Sequence, residues 1–303
     1  MRFGVTVGLL HPALWRDFAV EADRLGFESV WMPEHLVFTE DMGASQYPGG
    51  RAPVSPDAQL FDTPAFLCAI AEATAHIKLA TYVYLFALRH PFVAARAFAT
   101  LDVLSGGRAI VGVGAGWLKS EWDAVGLDFA SRGKRLDEAL AVAKRLWTEP
   151  VVSHEGRFFA FSGVHFEPKP VRKPHPPILA GGTSVAAMRR AARLCDGWVG
   201  MPGTLETLRP QLAQLRRVLD EEGRDPSTFD ITVSAFETTG PAEIDAWQEL
   251  GVDRIVVRPQ KRTGTALDDL RAFAAEYAVG RSSAPAQVHA PASALADKES
   301  PRS

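Results

Sequence analysis

The chain has 303 residues, of which 47% are hydrophobic, and its 33 basic and 36 acidic residues give a formal net charge of −3. This length and apolar content are enough for one large core and lie in the usual range for a single eight-stranded α/β barrel. Charges of both signs are spread along the chain, which argues against nucleic-acid binding and against binding to a membrane surface.

The two cysteines, Cys68 and Cys195, are too few for a disulfide framework or a cysteine-rich metal site. Both lie in apolar helical patterns, so we expect buried, reduced thiols. The first eight residues already alternate like a strand, without an apolar signal core, and no apolar run is long enough to span a membrane. We therefore expect a cytoplasmic protein.

Short apolar or β-branched runs alternate with longer helical patterns, which is typical of repeated βα units and a parallel sheet. In the first third of the chain, strands are predicted at residues 3–8, 29–32 and 79–84, and helices at 14–25, 63–75 and 92–104. Residues 37–62 are rich in Gly, Pro, Ser and Ala and have no periodicity. This composition predicts a long loop that covers a site.

The second part of the chain continues the alternation and adds insertions. It contains predicted strands at 109–113, 178–180, 197–200, 231–235 and 254–257, and predicted helices at 136–147, 185–194, 205–222 and 241–250. Residues 116–126 are predicted to form an extra loop with a short helix, 152–161 an inserted hairpin, and the proline-rich run 168–177 extended chain.

Eight predicted strands with intervening helices indicate one TIM (β/α)8 barrel with insertions at its rim. We assign residues 1–280 to this domain. Residues 281–303 are rich in Ala, Ser, Pro and charge without apolar periodicity, which predicts a disordered tail.

In such a barrel the chemistry lies where strands end, and Glu34 and His35 follow the second predicted strand, beneath the long loop. A histidine at this place can hydrogen-bond a substrate or transfer a proton, although a purely structural histidine would occupy the same position. The histidines are otherwise scattered, and no His-x-His pair or His/carboxylate cluster has metal-ligand spacing. We therefore expect no metal.

Two glycine-rich segments follow predicted strands. Gly112, Gly114 and Gly116 lack a Cβ where a planar ring or a phosphate could approach the backbone, but a tight turn explains the pattern equally well. The acidic partner and the open sheet of a Rossmann site are missing. Thr183 and Ser184 lead directly into a helix, which favours either phosphate binding at the helix N-terminus or ordinary N-capping.

Aromatic residues on or near strand ends favour an apolar pocket that suits a flat ring. They are Trp15, Trp31, Tyr82, Tyr84, Phe86, Trp117 and Trp122. Arg132, Lys134 and Arg135 precede an amphipathic helix, where they either form a solvated cap or bind an anionic cofactor tail.

Many stretches, taken in order, resemble the luciferase-like flavin and deazaflavin oxidoreductase superfamily, and specifically its F420-dependent subgroup. They are residues 22–31, 34–35, 79–81, 89–91, 101–108, 112–117, 132–133, 167–170, 177–178, 181–182 and 196–198. The resemblance covers residues 1 to about 260.

The resemblance implies a homodimeric TIM barrel whose cofactor ring lies against a bulged third strand, with a non-prolyl cis peptide that here would join Tyr82 and Val83. Glu34 and His35 would stand near the hydride-transfer centre. Residue by residue, it implies cofactor contacts at Tyr82, Val83, Gly114, Ala115, Gly116, Trp117, Ala180, Gly181, Gly182, Thr183 and Ser184.

This chain departs from the family pattern at two places. Some deazaflavin dehydrogenases of the family have a glutamate proton donor after the Gly-x-Gly turn, where this chain has Trp117, and their Asp-His pair is replaced by Glu34 and His35. The sequence shows no obvious cluster of Lys and Arg at the barrel mouth, so it does not support a sugar-phosphate substrate.

The resulting hypothesis is a coenzyme F420-dependent oxidoreductase that transfers a hydride between the deazaflavin and an apolar or conjugated small molecule, with His35 and Glu34 as catalytic residues. One alternative is an FMN-dependent monooxygenase supplied by a separate flavin reductase. Another is a non-catalytic flavin-binding barrel, for which Trp117 in the donor position is the best argument. A metal-dependent hydrolase would need three side-chain ligands at the mouth.

Overall fold

A computed structural model describes residues 1–43, 50, 54–236 and 240–280 of the chain. Its strands are β1 (Arg2–Thr6), β2 (Ser29–Met32), β3 (Lys78–Thr81), β4 (Ala109–Val113), β5 (Val151–Glu155), β6 (Ala160–His165), β7 (Ile178–Gly181), β8 (Gly197–Pro202), β9 (Asp230–Ser234) and β10 (Arg254–Val257). Eight of these strands pair in parallel and close into a barrel in the order β1-β2-β3-β4-β7-β8-β9-β10. The predicted TIM barrel is confirmed.

Helices connect the barrel strands. They are α1 (Trp15–Leu25), α2 (Thr63–Ala73), α3 (Pro91–Leu104), α4 (Lys119–Ala124), α5 (Arg132–Thr148), α6 (Val185–Leu194), α7 (Leu205–Glu221), α8 (Pro241–Glu249) and α9 (Ala266–Glu276). Local signals set several of their limits. Asp62 caps α2 and Pro64 lies in its first turn, whereas α1 is followed by Gly26, whose φ of +86° is left-handed. No described helix is long and apolar enough to cross a membrane.

Both predicted insertions are present. Helix α4 follows the glycine-rich turn after β4, and β5 and β6 form an antiparallel hairpin outside the barrel. The hairpin packs on α5, where the carboxylate of Glu138 accepts the backbone N–H of Phe159 at 2.9 Å. The predicted tail, residues 281–303, and residues 44–49 and 51–53 of the predicted loop lie outside the described residues.

Strand β3 ends at Thr81, three residues earlier than predicted. The peptide bond between Tyr82 and Val83 is cis, and the chain rejoins the barrel at Tyr84 through an isolated bridge to Val113. The backbone N–H of Leu85 then donates to the carboxylate of Glu34 rather than to a backbone carbonyl of a neighbouring strand. The third strand is therefore irregular at the barrel mouth.

The opposite end of the barrel is closed by an ionic network. Arg254, which is almost fully buried, lies 2.7 Å from Glu28 and 2.8 Å from Asp230, while Arg2 and Lys78 add further pairs to these two acids. Above the network an apolar layer fills the barrel, formed by Trp31, Ala80, Ile110, Leu179, Val199 and Val256. This layer separates the ionic network from the carboxyl ends of the strands, where TIM barrels carry their active sites.

Candidate active site

A cavity of about 1940 Å³ opens at the carboxyl ends of the barrel strands. A single drug-sized ligand occupies a pocket of roughly 300–1,000 Å³, so this cavity has room for a cofactor together with a substrate. All the predicted site residues line it except Ala180. Because side chains alternate along a strand, Ala180 faces the surrounding helices and is buried in the main core, whereas Gly181 faces the cavity.

The wall between β3, β4 and β7 is built around Val83. A Cβ on Gly114 would lie 2.5 Å from Cγ2 of Val83, and a Cβ on Gly181 would lie 3.1 Å from its Cγ1. The two glycines therefore accommodate the Val83 side chain, and the close approach that sequence analysis expected at Gly114 is first of all a contact within the chain. The hydroxyl of Tyr82 donates to the carbonyl of Gly200 at 2.7 Å and fastens this segment across the barrel.

Glu34 holds the irregular third strand in place. Its Oε1 lies 2.5 Å from Arg89 Nη2, and its Oε2 accepts the backbone N–H of Leu85 at 2.7 Å. Burial raises the pKa of the Glu34 carboxyl above its ordinary value, while the Arg89 guanidinium and the Leu85 N–H act in the opposite direction. Both oxygens are thus engaged within the chain, and the predicted catalytic role of Glu34 stays a prediction.

His35 is paired with a residue that sequence analysis did not select. Its Nδ1 lies 3.0 Å from Oε2 of Glu121, which is fully buried on α4. The rings of Phe38 and Trp117 pack against the imidazole at centroid distances of 4.8 Å and 5.8 Å. The available signal was an acidic residue in the short insertion directly after the glycine-rich turn, but only the fold shows that it reaches His35.

The segment before α6 caps the helix and also leaves its N-terminus accessible from the cavity. The hydroxyl of Ser184 accepts the backbone N–H of Ala187 at 3.2 Å, so the N-cap interpretation is confirmed for this residue. Thr183 is exposed towards the cavity. Gly182 has a φ of +120°, and its carbonyl accepts a hydrogen bond from Trp198 Nε1 at 2.8 Å. This turn presents the N-terminus of α6, with its partial positive charge, to the cavity.

Cationic side chains from α5 and α6 line the same side of the cavity and form what we call the cationic wall. It consists of Arg132, Lys134, Arg189, Arg190 and Arg193. Three acids pair with its members: Asp137 with Arg190, Glu221 with Arg189 at 3.0 Å, and Glu222 with Arg193 at 2.5 Å. Five cations against three acids leave an excess of positive charge. The sequence pointed to Arg132 and Lys134 as possible partners of an anionic tail, but not to the arginines of α6, because the two helices are far apart in the chain.

The side of the cavity formed by the segments after β1 and β2 is apolar and aromatic. It includes Leu9, Trp15, Phe38 and Phe61, and the Trp15 and Phe61 rings meet edge to face at a centroid distance of 5.4 Å. The cavity therefore has a cationic end and an aromatic end. Within the described ranges, no three His, Cys, Asp or Glu side chains are arranged to hold a metal ion.

Comparison with protein families agrees with this geometry. The family model described as luciferase-like monooxygenase matches residues 7–300. The chain belongs to the luciferase-like monooxygenase family. Flavin and deazaflavin are therefore the two kinds of cofactor to compare with the cavity of this luciferase-like protein.

Relatives of this luciferase-like chain differ in cofactor. An uncharacterized protein of Mycobacterium tuberculosis is 31% identical over 257 residues, covering 83% of this chain and 88% of its own. An F420-dependent glucose-6-phosphate dehydrogenase of Kineococcus radiotolerans is 33% identical over 231 residues, covering 73% and 63%. An FMNH2-dependent dimethylsulfone monooxygenase of Pseudomonas putida is 33% identical over 159 residues, covering 52% and 43%.

Solved structures share the luciferase-like barrel. An F420-dependent secondary alcohol dehydrogenase, in complex with an F420–acetone adduct, aligns with a TM-score of 0.74 at 18% identity, covering 92% of this chain and 99% of that one. The monooxygenase RslO1 from Streptomyces bottropensis aligns with a TM-score of 0.73 at 24% identity, covering 91% and 98%. At these identities the likeness establishes the fold, and the cofactor has to be argued from the site.

Proposed function

We propose that this protein is a coenzyme F420-dependent oxidoreductase that transfers a hydride between the deazaflavin and an apolar or conjugated small molecule. The observation that carries the proposal is the polarity of the cavity, with the cationic wall and the N-terminus of α6 at one end and an aromatic lining at the other. F420 has a matching polarity, because a flat ring is joined to a long tail that carries a phosphate and carboxylates.

The residues at the cationic end suit an anionic tail. The hydroxyl of Ser184 is already engaged with Ala187, so Thr183 and the first N–H groups of α6 are the donors that remain for a phosphate. The cationic wall continues from there along α5 and α6 and suits further carboxylates. A cofactor ring would meet Val83 and the backbone around Gly114 at the centre of the barrel mouth.

The bound coenzyme would supply the hydride chemistry, and this chain would bind, orient and exclude water. His35 lines the cavity and is the group that can hold or move a proton there, through the ring nitrogen that does not face Glu121. The aromatic end, with Trp15 and Phe61, would take the substrate.

The FMN-dependent monooxygenase is the second candidate, and the relative from Pseudomonas putida supports it. FMN has a short tail with one phosphate, which the N-terminus of α6 alone would satisfy. The extended cationic wall exceeds this requirement and favours F420. The non-catalytic flavin-binding barrel is less favoured, because His35 lines the cavity and Glu121 orients its imidazole there.

A titration of the apo-protein distinguishes the candidates. Tryptophan fluorescence would be followed while F420, FMN and the deazaflavin ring on its sugar-alcohol chain, without phosphate and tail, are added separately. We expect F420 to bind at least tenfold more tightly than either of the others. Tighter binding of FMN would transfer the assignment to the monooxygenase, and failure of all three ligands would overturn the cofactor assignment.

A further inference from the structure

Glu121 is a fully buried carboxylate whose hydrogen bonds all reach one short segment. Its Oε1 accepts the backbone N–H of Leu36 at 2.6 Å and that of Val37 at 3.4 Å, while its Oε2 lies 3.0 Å from Nδ1 of His35. A buried carboxylate is costly unless such bonds satisfy it. Helix α4, an insertion outside the basic barrel pattern, thus holds the three residues that begin with His35.

We propose that Glu121 is a positioning residue that fixes His35 in the Nδ1–H tautomer and thereby leaves Nε2 as a proton acceptor for a group bound in the cavity. An ionised carboxylate can only accept hydrogen bonds, so the imidazole nitrogen that faces it must carry the hydrogen. A neutral imidazole has one such hydrogen, and its other nitrogen then has a free lone pair.

The surroundings of the ring prevent the alternative orientation. Phe38 and Trp117 pack against the imidazole, and a ring flip would take Nδ1 away from a carboxylate that is buried on every side. In the fixed tautomer, Nε2 of His35 can accept a proton from a bound hydroxyl. It can donate a proton only after it has accepted one. This consequence rests on the proposed function, whereas the tautomer itself does not.

The substitution Glu121→Gln should invert the tautomer. An amide has one acceptor oxygen, and two backbone N–H groups, those of Leu36 and Val37, compete for it at the Oε1 position. The NH2 group would then face Nδ1 of His35, which must become an acceptor, and the hydrogen would move to Nε2. Long-range ¹H–¹⁵N correlation spectra of the ¹⁵N-histidine-labelled apo-protein, recorded at pH 8.5, about two units above the ordinary imidazole value of about 6.5, distinguish the two tautomers.

Ser120→Ala is the matched control. Ser120 Oγ is 2.6 Å from Thr39 Oγ1, so this variant removes a bond between the same helix and the same loop without touching His35. We expect the Nδ1–H pattern in the wild type and in Ser120→Ala, and the Nε2–H pattern in Glu121→Gln. The His35 signal is assigned by its loss in His35→Gln.

The wild-type spectrum tests the proposal even if Glu121→Gln does not fold, because an Nε2–H pattern there would overturn it. The measurement needs neither cofactor nor substrate, so its outcome is independent of the titration that tests the proposed function. In steady-state turnover assays, Glu121→Gln should lower kcat about 10- to 100-fold, whereas KM should change less than about threefold. An inverted tautomer with unchanged kcat would remove Glu121 from catalysis.

Discussion

Thr183 is the exposed hydroxyl at the start of α6, and its substitution tests phosphate binding at the residue scale. Gly182 is less suitable for this purpose, because its φ of +120° and the 2.8 Å that would separate a new Cβ from Ala187 make any larger residue strain the fold. Thr183→Val keeps the shape and removes one donor. We expect F420 or FMN to bind about 10-fold more weakly, as measured by fluorescence titration, with an unchanged melting temperature.

Thr148→Val, the same substitution at an exposed position on α5 outside the cavity, is the matched control and should leave cofactor affinity unchanged. Equal affinity of Thr183→Val and the wild type would show that the phosphate lies elsewhere.

His35→Ala should affect turnover far more than cofactor binding. The imidazole is held by Glu121 and lines the cavity, so its removal takes away a proton carrier and leaves the proposed cofactor contacts intact. We expect kcat to fall about 10²- to 10⁴-fold while the Kd of the cofactor changes less than about threefold. His76→Ala, at an exposed position outside the cavity, provides the comparison in steady-state kinetics. Undiminished turnover would exclude His35 from the mechanism.

At the scale of the elements, the β5–β6 hairpin depends on one side chain of α5. Glu138 accepts the backbone N–H groups of Phe158 and Phe159 and pairs with His154 at 3.1 Å. Glu138→Ala leaves these donors without their acceptor, which costs about 1–3 kcal/mol locally. In Glu138→Ala we expect faster backbone hydrogen exchange in β5 and β6 than in the wild type, and unchanged slow exchange in the barrel strands.

The exposed residue Glu155 in the same hairpin supplies a control variant, Glu155→Ala, which should leave hydrogen exchange unchanged. Uniformly faster exchange throughout the Glu138→Ala protein would instead mean that the hairpin and the barrel unfold together.

Most elements could be predicted from local pattern, and the differences have local causes. Helix α9 was not predicted, because its core contacts are made by Ala266, Leu270 and Ala274, two of which are too small to give a clear apolar period, and no side chain caps its start. The early end of β3 was missed because Glu34, a residue of another strand end, takes the N–H of Leu85.

At the scale of the whole molecule, the ionic network that closes the barrel should make the fold sensitive to acid. Burial raises the pKa of the Glu28 carboxyl, but Arg254 and Lys78 outweigh it, so the pKa lies well below its ordinary value of 4.5. The unfolded chain therefore binds the proton more readily. The stabilisation by Glu28 is complete above pH 4.5 and is lost as the pH falls towards the folded-state pKa.

Chemical denaturation at pH 7 and pH 4 tests this expectation. Glu28→Gln should lower the free energy of unfolding at pH 7 by about 3–5 kcal/mol, because Arg254 stays buried with one fewer partner, and should reduce the loss between the two pH values. Glu206→Gln, at an exposed position on α7, should behave like the wild type. An unchanged pH dependence in Glu28→Gln would assign the acid sensitivity to other groups.

The expected homodimer stays a prediction. Two exposed apolar residues, Val93 and Leu104, are eleven positions apart on α3 and so lie on one face of that helix. Sedimentation equilibrium should give twice the mass of the chain, and Val93→Lys should shift the equilibrium towards monomer. A wild-type protein with the mass of one chain would contradict the prediction.

The sequence by itself determined the barrel, the family and most of the cavity lining, because alternating strand and helix periods, glycine-rich turns and strand ends are local patterns that a TIM barrel always gathers at one face. Only the tertiary structure decided how these residues are used. The pairs of His35 with Glu121 and of Glu34 with Arg89 join residues 86 and 55 positions apart, and the cationic wall joins two helices. Such contacts depend on how the elements pack together, and a local sequence pattern does not specify which distant residues become neighbours.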